Sequence, residues 1–148
     1  MGTYYDVQEI NFKIPVEHVP AAIAMLREKV QQWANNYREQ YPDYREYPEQ
    51  LEKLLEEEDD DAFLQSVAGL DRWKAGITED GIVNPYIDRK KGSIDIDWMD
   101  AMYPFVLSGS FVEIHCEDGL VWREVWKDGK KARRVYPIWP EPTDEEEE

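Results

Sequence analysis

Three Asp-Gly dipeptides, Asp80-Gly81, Asp118-Gly119 and Asp128-Gly129, punctuate the second half of this chain and constrain its fold more than any other feature. Asp-Gly readily adopts the left-handed backbone of tight hairpin turns, so each pair predicts a reversal between two antiparallel strands. The last two separate three strands at regular spacing, which is the signature of a three-stranded meander. The first lies between Trp73–Ile77 and Ile82–Asp88 and predicts a further hairpin.

The first half has a different rhythm. Ile10, Phe12 and Ile14 alternate with polar residues and predict a strand that Pro15 closes. From Pro20 onward, Ile23, Leu26, Val30, Trp33, Tyr37 and Tyr41 recur every three or four residues, so they line one face of a helix that Pro42 ends. A Tyr- and Pro-rich connector, YPDYREYPEQ, leads to a short helix after Pro48 carrying Leu51, Leu54 and Leu55. Six consecutive acids, Glu56 to Asp61, would repel one another inside a helix. A break near Asp59 is therefore expected, with an Asp capping a further helix that buries Phe63, Leu64 and Val67 before Gly69. Asp97 is expected to cap a short helix with Trp98, Met102, Phe105 and Val106, stopping near Ser108-Gly109.

This order predicts an α+β fold: a mostly antiparallel sheet ending in a three-stranded meander, with helices packed on one face. Residues 1–140 form a single domain with an acidic helical insertion at 49–68, and residues 141–148 form an acidic tail. The 148 residues suit one modest core, and six Trp, nine Tyr and four Phe are too many for a disordered acidic chain.

The net charge of −16, from 33 acids and 17 bases, excludes binding to nucleic acid or anionic membrane through an overall positive field. That charge is local. Glu49–Asp61 contributes −7 and the tail −6, leaving −3 for the rest of the chain. Such runs serve either as solvated helix surface and a solubilising tail, or as a binding device.

The single cysteine, Cys116, excludes an internal disulfide and reads as a small buried hydrophobe in a reducing compartment. The first fifteen residues lack a basic start and a continuous apolar run, so no secretory signal is expected, and Met1 reads as the true start. No apolar stretch approaches the roughly 20 residues that span a bilayer. The expected location is cytoplasmic.

The segment SGSFVEIHCEDGLVWREVW, Ser108 to Trp126, resembles a pattern near the C-terminus of a group of uncharacterised small acidic α+β proteins of bacterial and phage genomes. The resemblance implies a phage or mobile-element setting and carries no activity or site residues.

If both C-terminal turns are two-residue loops, Phe111 faces Trp126 and Lys131, Glu113 faces Glu124 and Arg133, and His115 faces Trp122 and Val135, all on one face of the sheet. The opposite face, with Val112, Ile114, Cys116, Val121 and Val125, then reads as core. Arg133 between Glu113 and Glu124 reads as a cross-strand ion pair. Paired carboxylates beside a histidine suit acid and base chemistry. Yet no activated nucleophile, phosphate loop or metal-ligand spacing completes a catalytic site, so the chain reads as no enzyme, with no cofactor, metal or catalytic residues.

Two binding functions stay open. In the first, Glu49, Glu52, Glu56, Glu57, Glu58, Asp59, Asp60 and Asp61 imitate a row of phosphates. The chain then inhibits a basic nucleic-acid-binding protein, such as a bacterial defence nuclease, without touching nucleic acid itself. Tyr41, Tyr44 and Tyr47 in the connector supply the adjoining contact area, since tyrosine offers area and a hydroxyl at low entropic cost. In the second, an adaptor or immunity-type module binds through an aromatic sheet face bearing Trp122 and Trp126, and acidity serves solubility alone.

Overall fold

A computed structural model describes residues 3–88, 90–92 and 94–138, with backbone alone for 132–138. The acidic tail at 141–148 and the side chains of Arg133 and Val135 therefore lie outside the described residues.

The predicted first strand is two strands. β1 (Tyr4–Asn11) joins the main sheet, and β2 (Lys13–Pro15) leaves it to pair with β3 (Gly81–Val83). Phe12 is the switch point. Its ring is fully buried, its N–H donates to Asn84 Oδ1 at 2.9 Å, and its carbonyl accepts from Asn84 N at 2.9 Å. Asn84 reaches both groups from a left-handed backbone, φ +43°, which asparagine tolerates better than most residues.

α1 (Val19–Gln40) follows the predicted face, burying Val19, Ala22, Ile23, Leu26, Val30 and Ala34. It ends where Tyr41, pushed from helical geometry by Pro42, donates its N–H to Tyr37 O at 2.8 Å. α2 (Glu46–Leu54) starts two residues before Pro48, because a proline in the first turn removes no helical hydrogen bond. α3 (Asp60–Gly69) is capped as expected: Asp59, in extended geometry, accepts from Ala62 N at 2.9 Å. Phe63, Leu64, Val67 and Ala68 point into the core.

The hairpin expected across Trp73–Asp88 does not form as such. Asp80-Gly81 does turn, with Thr78 and Gly81 exchanging backbone hydrogen bonds, but the flanking segments meet only at the Lys74–Tyr86 bridge. Residues 81–83 pair with β2 instead. Gly81 makes this pairing possible: at φ +112°, a Cβ there would lie 2.0 Å from Ile14 O, so only glycine admits β2 so closely.

After the two-residue β4 (Lys90–Lys91), α4 (Asp97–Asp100) is capped at Ile96, leaving Asp97 as its first helical residue rather than its cap. Pro104 follows in a 3-10 turn, Tyr103–Phe105, so the predicted single helix is two short pieces. Trp98, Met102 and Val106 are buried as expected.

The meander forms from β5 (Phe111–Cys116), β6 (Val121–Lys127) and β7 (Lys130–Ile138). The main sheet has the order β4-β1-β5-β6-β7, antiparallel throughout, so the fold is α+β. At the second turn, Asp128 (φ +54°) and Gly129 (φ +73°) form the expected two-residue loop with Lys127 opposite Lys130.

The first turn differs. Its loop has three residues: Gly119 N donates to Cys116 O at 2.9 Å, and Cys116 N to Leu120 O at 2.8 Å. Asp118 Oδ1 accepts from Leu120 N at 3.2 Å and props the longer turn open. The register therefore slides by one residue, placing Ile114 opposite Trp122 and Glu113 opposite Arg123. Because side chains alternate with period two, that slip exchanges the faces of β6 relative to expectation.

Trp122 and Trp126 consequently join Val112, Ile114 and Cys116 in the core, at 7% and 0% exposure. Trp126 packs edge-on to Phe12 with ring centroids 5.3 Å apart, while Trp98 meets both Phe12 and Trp73. The aromatic sheet surface expected from these two tryptophans does not exist.

Candidate functional site

The turn between α1 and α2 gathers the tyrosines. Tyr37 and Tyr41, one helical turn apart, have ring centroids 4.9 Å apart. Tyr47 lies 4.9 Å from Tyr37, and Tyr44 lies 6.4 Å from Tyr41. Tyr41, Tyr44 and Tyr47 are 48%, 67% and 40% exposed, so the connector presents a contiguous aromatic patch to solvent. Arg38 fixes it, forking onto both Glu52 oxygens to bind α1 to α2. The guanidinium contact draws the Glu52 carboxyl below its ordinary value.

The acidic run is less uniform than its sequence suggests. Asp59 caps α3. Asp60 pairs with Arg27 at 3.2 Å, and Arg27 also donates to Glu57 O at 2.7 Å while lying over the Phe63 ring. Asp61 accepts from Ile77 N at 2.8 Å and from Gln65 at 3.0 Å. With Glu52 held by Arg38, half of the eight expected phosphate-like carboxylates have structural work to do. Glu49, Glu56, Glu57 and Glu58 remain exposed, and the last three make no side-chain hydrogen bond or ion pair among the described residues. α2 carries Glu49 and separates the tyrosine patch at its start from Glu56, Glu57 and Glu58 beyond its end. Nine residues span about 13 Å.

A second feature was not anticipated. Beside Tyr47 opens a cleft of about 300 Å³ walled by Trp33, Tyr47 and Trp98 and by Asp71, Asp95 and Asp97. The segment before α4 is pinned from several sides. Asp95 O accepts from the Trp73 indole at 2.8 Å, Asp95 N donates to Asp71 at 2.7 Å, and Asp97 N donates to Asp95 Oδ1 at 2.8 Å. Lys90 neutralises Asp71.

Asp97 keeps a solvent-exposed side at the cleft mouth. Crowding by the protein, then the charge of Asp95 and a hydrogen bond with it, and the charge of Asp100, push the Asp97 carboxyl above its ordinary value. Burial, then the charge of Asp95, raises the Tyr47 hydroxyl, which stays protonated. A neighbouring cavity shares Trp33 and Asp97 and adds Lys29 and Asp100.

Several charged groups of the sheet and α4 are matched with one another. Lys131 bridges Asp100 at 2.9 Å and the buried Glu124 at 2.7 Å, and Asp100 also accepts from the Trp126 indole at 3.1 Å. On the outer sheet face, Glu113 binds His115 at 2.8 Å and Arg123 at 2.9 Å, and these contacts hold its carboxyl below the ordinary value against partial burial. Arg123, brought opposite by the register slip, pairs with Glu113, while Glu124 is taken by Lys131. Among the described residues, no three His, Cys, Asp or Glu side chains cluster to hold a metal ion, and no helix is long and apolar enough to cross a membrane.

Sequence reasoning thus found the tyrosines and missed the cleft. Trp33 read as core and Asp97 as a helix cap. One signal was available: Asp95 and Asp97 set two carboxylates close together in the chain immediately before Trp98. Comparison with known protein families, curated proteins and solved structures finds no match.

Proposed function

We propose that this chain is a non-enzymatic binding protein that engages a basic nucleic-acid-binding protein and blocks it by offering carboxylates where phosphates would sit. A bacterial defence nuclease is the partner class that fits a phage or mobile-element origin. The observation that carries the reading is the pairing of an exposed tyrosine patch at the start of α2 with exposed carboxylates on α2 and in the connector that follows it. Tyrosines supply desolvated contact area, and Glu49 and Glu56 to Glu58 supply charge that steers a cationic partner into place. Asp59, Asp60, Asp61 and Glu52 shape the surface rather than contact the partner. Acidity for solubility alone would leave the tyrosine patch without a role.

The test captures partners from a bacterial lysate at low salt, identifies any nucleic-acid enzyme among them, and measures its affinity for the chain with and without DNA or RNA. Competition by nucleic acid, weakening by salt, and a loss of affinity in the triple variant Glu56→Gln, Glu57→Gln, Glu58→Gln are expected. Unchanged affinity of that variant would sink the mimic reading.

A further inference from the structure

The geometry points to the cleft between α1, α2 and the 95–98 segment as a receptor for one arginine side chain of a protein partner. This deepens the function proposed above and rests on it for the identity of the partner.

Three features of the cleft converge on a guanidinium. Its volume of about 300 Å³ lies at the small end of ligand sites, suited to a single side chain. Trp33 and Tyr47 furnish aromatic faces, on which a planar guanidinium stacks better than an ammonium does. Asp95 and Asp97 stand side by side without a paired cation among the described residues. Lys90 is engaged by Asp71 and Lys131 by Asp100 and Glu124, while Lys29 lines the neighbouring cavity and makes no ion pair with either carboxylate among the described residues. A forked cation between the two carboxylates relieves their mutual repulsion and forms charge-assisted hydrogen bonds.

A further observation is independent of the acids. Trp98, 4% exposed, belongs to the cleft wall, and its indole N–H has no acceptor among the described residues. Such a buried donor is costly to leave unmatched. That N–H is sealed from solvent, so a guest in the cleft answers the carboxylates, and an arginine brings the cation they lack. The cleft also adjoins the tyrosine patch through Tyr47, which contacts Tyr37 and lines the cleft, so a partner seated on the tyrosines has an arginine within reach.

The experiment titrates the intact chain with the blocked tripeptide acetyl-Gly-Arg-Gly-amide and, in parallel, with the same peptide carrying citrulline, the neutral isostere. Indole N–H resonances of Trp33 and Trp98 report binding in both. The arginine peptide is expected to shift them, and the citrulline peptide to bind at least about tenfold more weakly. The double variant Asp95→Asn, Asp97→Asn keeps the backbone acceptor at residue 95 and is expected to lose the arginine preference while remaining folded. Equal response to both peptides, or none at millimolar concentration, overturns the proposal. Neither outcome depends on the lysate partner, so failure of the mimic reading leaves an arginine-selective cleft standing, and failure of the cleft leaves the triple-glutamate test intact.

Discussion

Replacing Trp126 with alanine separates the two faces that this residue could occupy. On the sheet surface, truncation would change stability by no more than about 0.5 kcal/mol. In the structure Trp126 is fully buried, packs edge-on to Phe12, and donates its indole N–H to Asp100 at 3.1 Å. Truncating a buried Trp to Ala costs about 3–5 kcal/mol through lost transfer energy and the cavity left behind. A domain of this size commonly holds only about 5–15 kcal/mol in total, so the loss is a large fraction of the whole. With a urea dependence near 2 kcal/mol per M, about 4 kcal/mol moves the midpoint down by about 2 M. Trp126→Phe keeps the ring against Phe12 and removes only the N–H and some area. Asp100 retains Lys131, so this variant should lose about 1–2 kcal/mol. Urea denaturation followed by far-UV circular dichroism measures both, free of the changed tryptophan emission. A midpoint for Trp126→Ala within 0.3 M of the parent would refute the assigned register and, with it, the burial of Trp122.

Two smaller perturbations test local features. Asp59→Ala should cost about 1 kcal/mol by orphaning Ala62 N, whereas Asp59→Asn should be nearly neutral, and the contrast in urea midpoint isolates the cap from the charge. Asp97→Asn should raise stability at neutral pH by up to about 0.5 kcal/mol, a small gain because the carboxyl reaches water. The sign follows from proton linkage. The folded protein raises this carboxyl's pKa, through burial and the charges of Asp95 and Asp100, so the protonated form is favoured by folding. That contribution is complete below the unfolded-state value near 3.9 and is lost as pH rises through the higher folded-state value. The stability difference between Asp97→Asn and the parent should therefore vanish at low pH, open as pH rises between the two values and be complete above the folded-state pKa, and a difference of the opposite sign in paired melting curves would contradict the assigned environment.

Much of the helical half was legible because its signals are short-range. The three- and four-residue spacing from Ile23 to Tyr37 gives α1 its face, Pro42 its end, and mutual repulsion along Glu56–Asp61 locates the break that Asp59 caps. The meander was legible too, since Asp-Gly turns act within four residues. Sequence by itself thus determined the helices of the first half and the three meander strands, but not the pairing of β2 with β3 or the break before Pro104.

Tertiary structure decided which way they face and whom they meet. A turn of two or three residues around Asp118-Gly119 differs little locally, yet the choice selects which side of β6 is buried. The three-residue loop brings Trp122 and Trp126 to the core and sets Arg123 against Glu113. Burial of large apolar surface is worth several kcal/mol, more than the local preference of a turn, so the core fixes the register. The charges behave likewise. Eight acids look alike in sequence, but Arg27 and Arg38, distant along the chain, single out Asp60 and Glu52 as structural and leave Glu56 to Glu58 exposed. The cleft could not be read from any one segment, because its walls come from α1, α2, α3 and the residues leading into α4, and only packing brings Trp33 and Tyr47 beside Asp95 and Asp97.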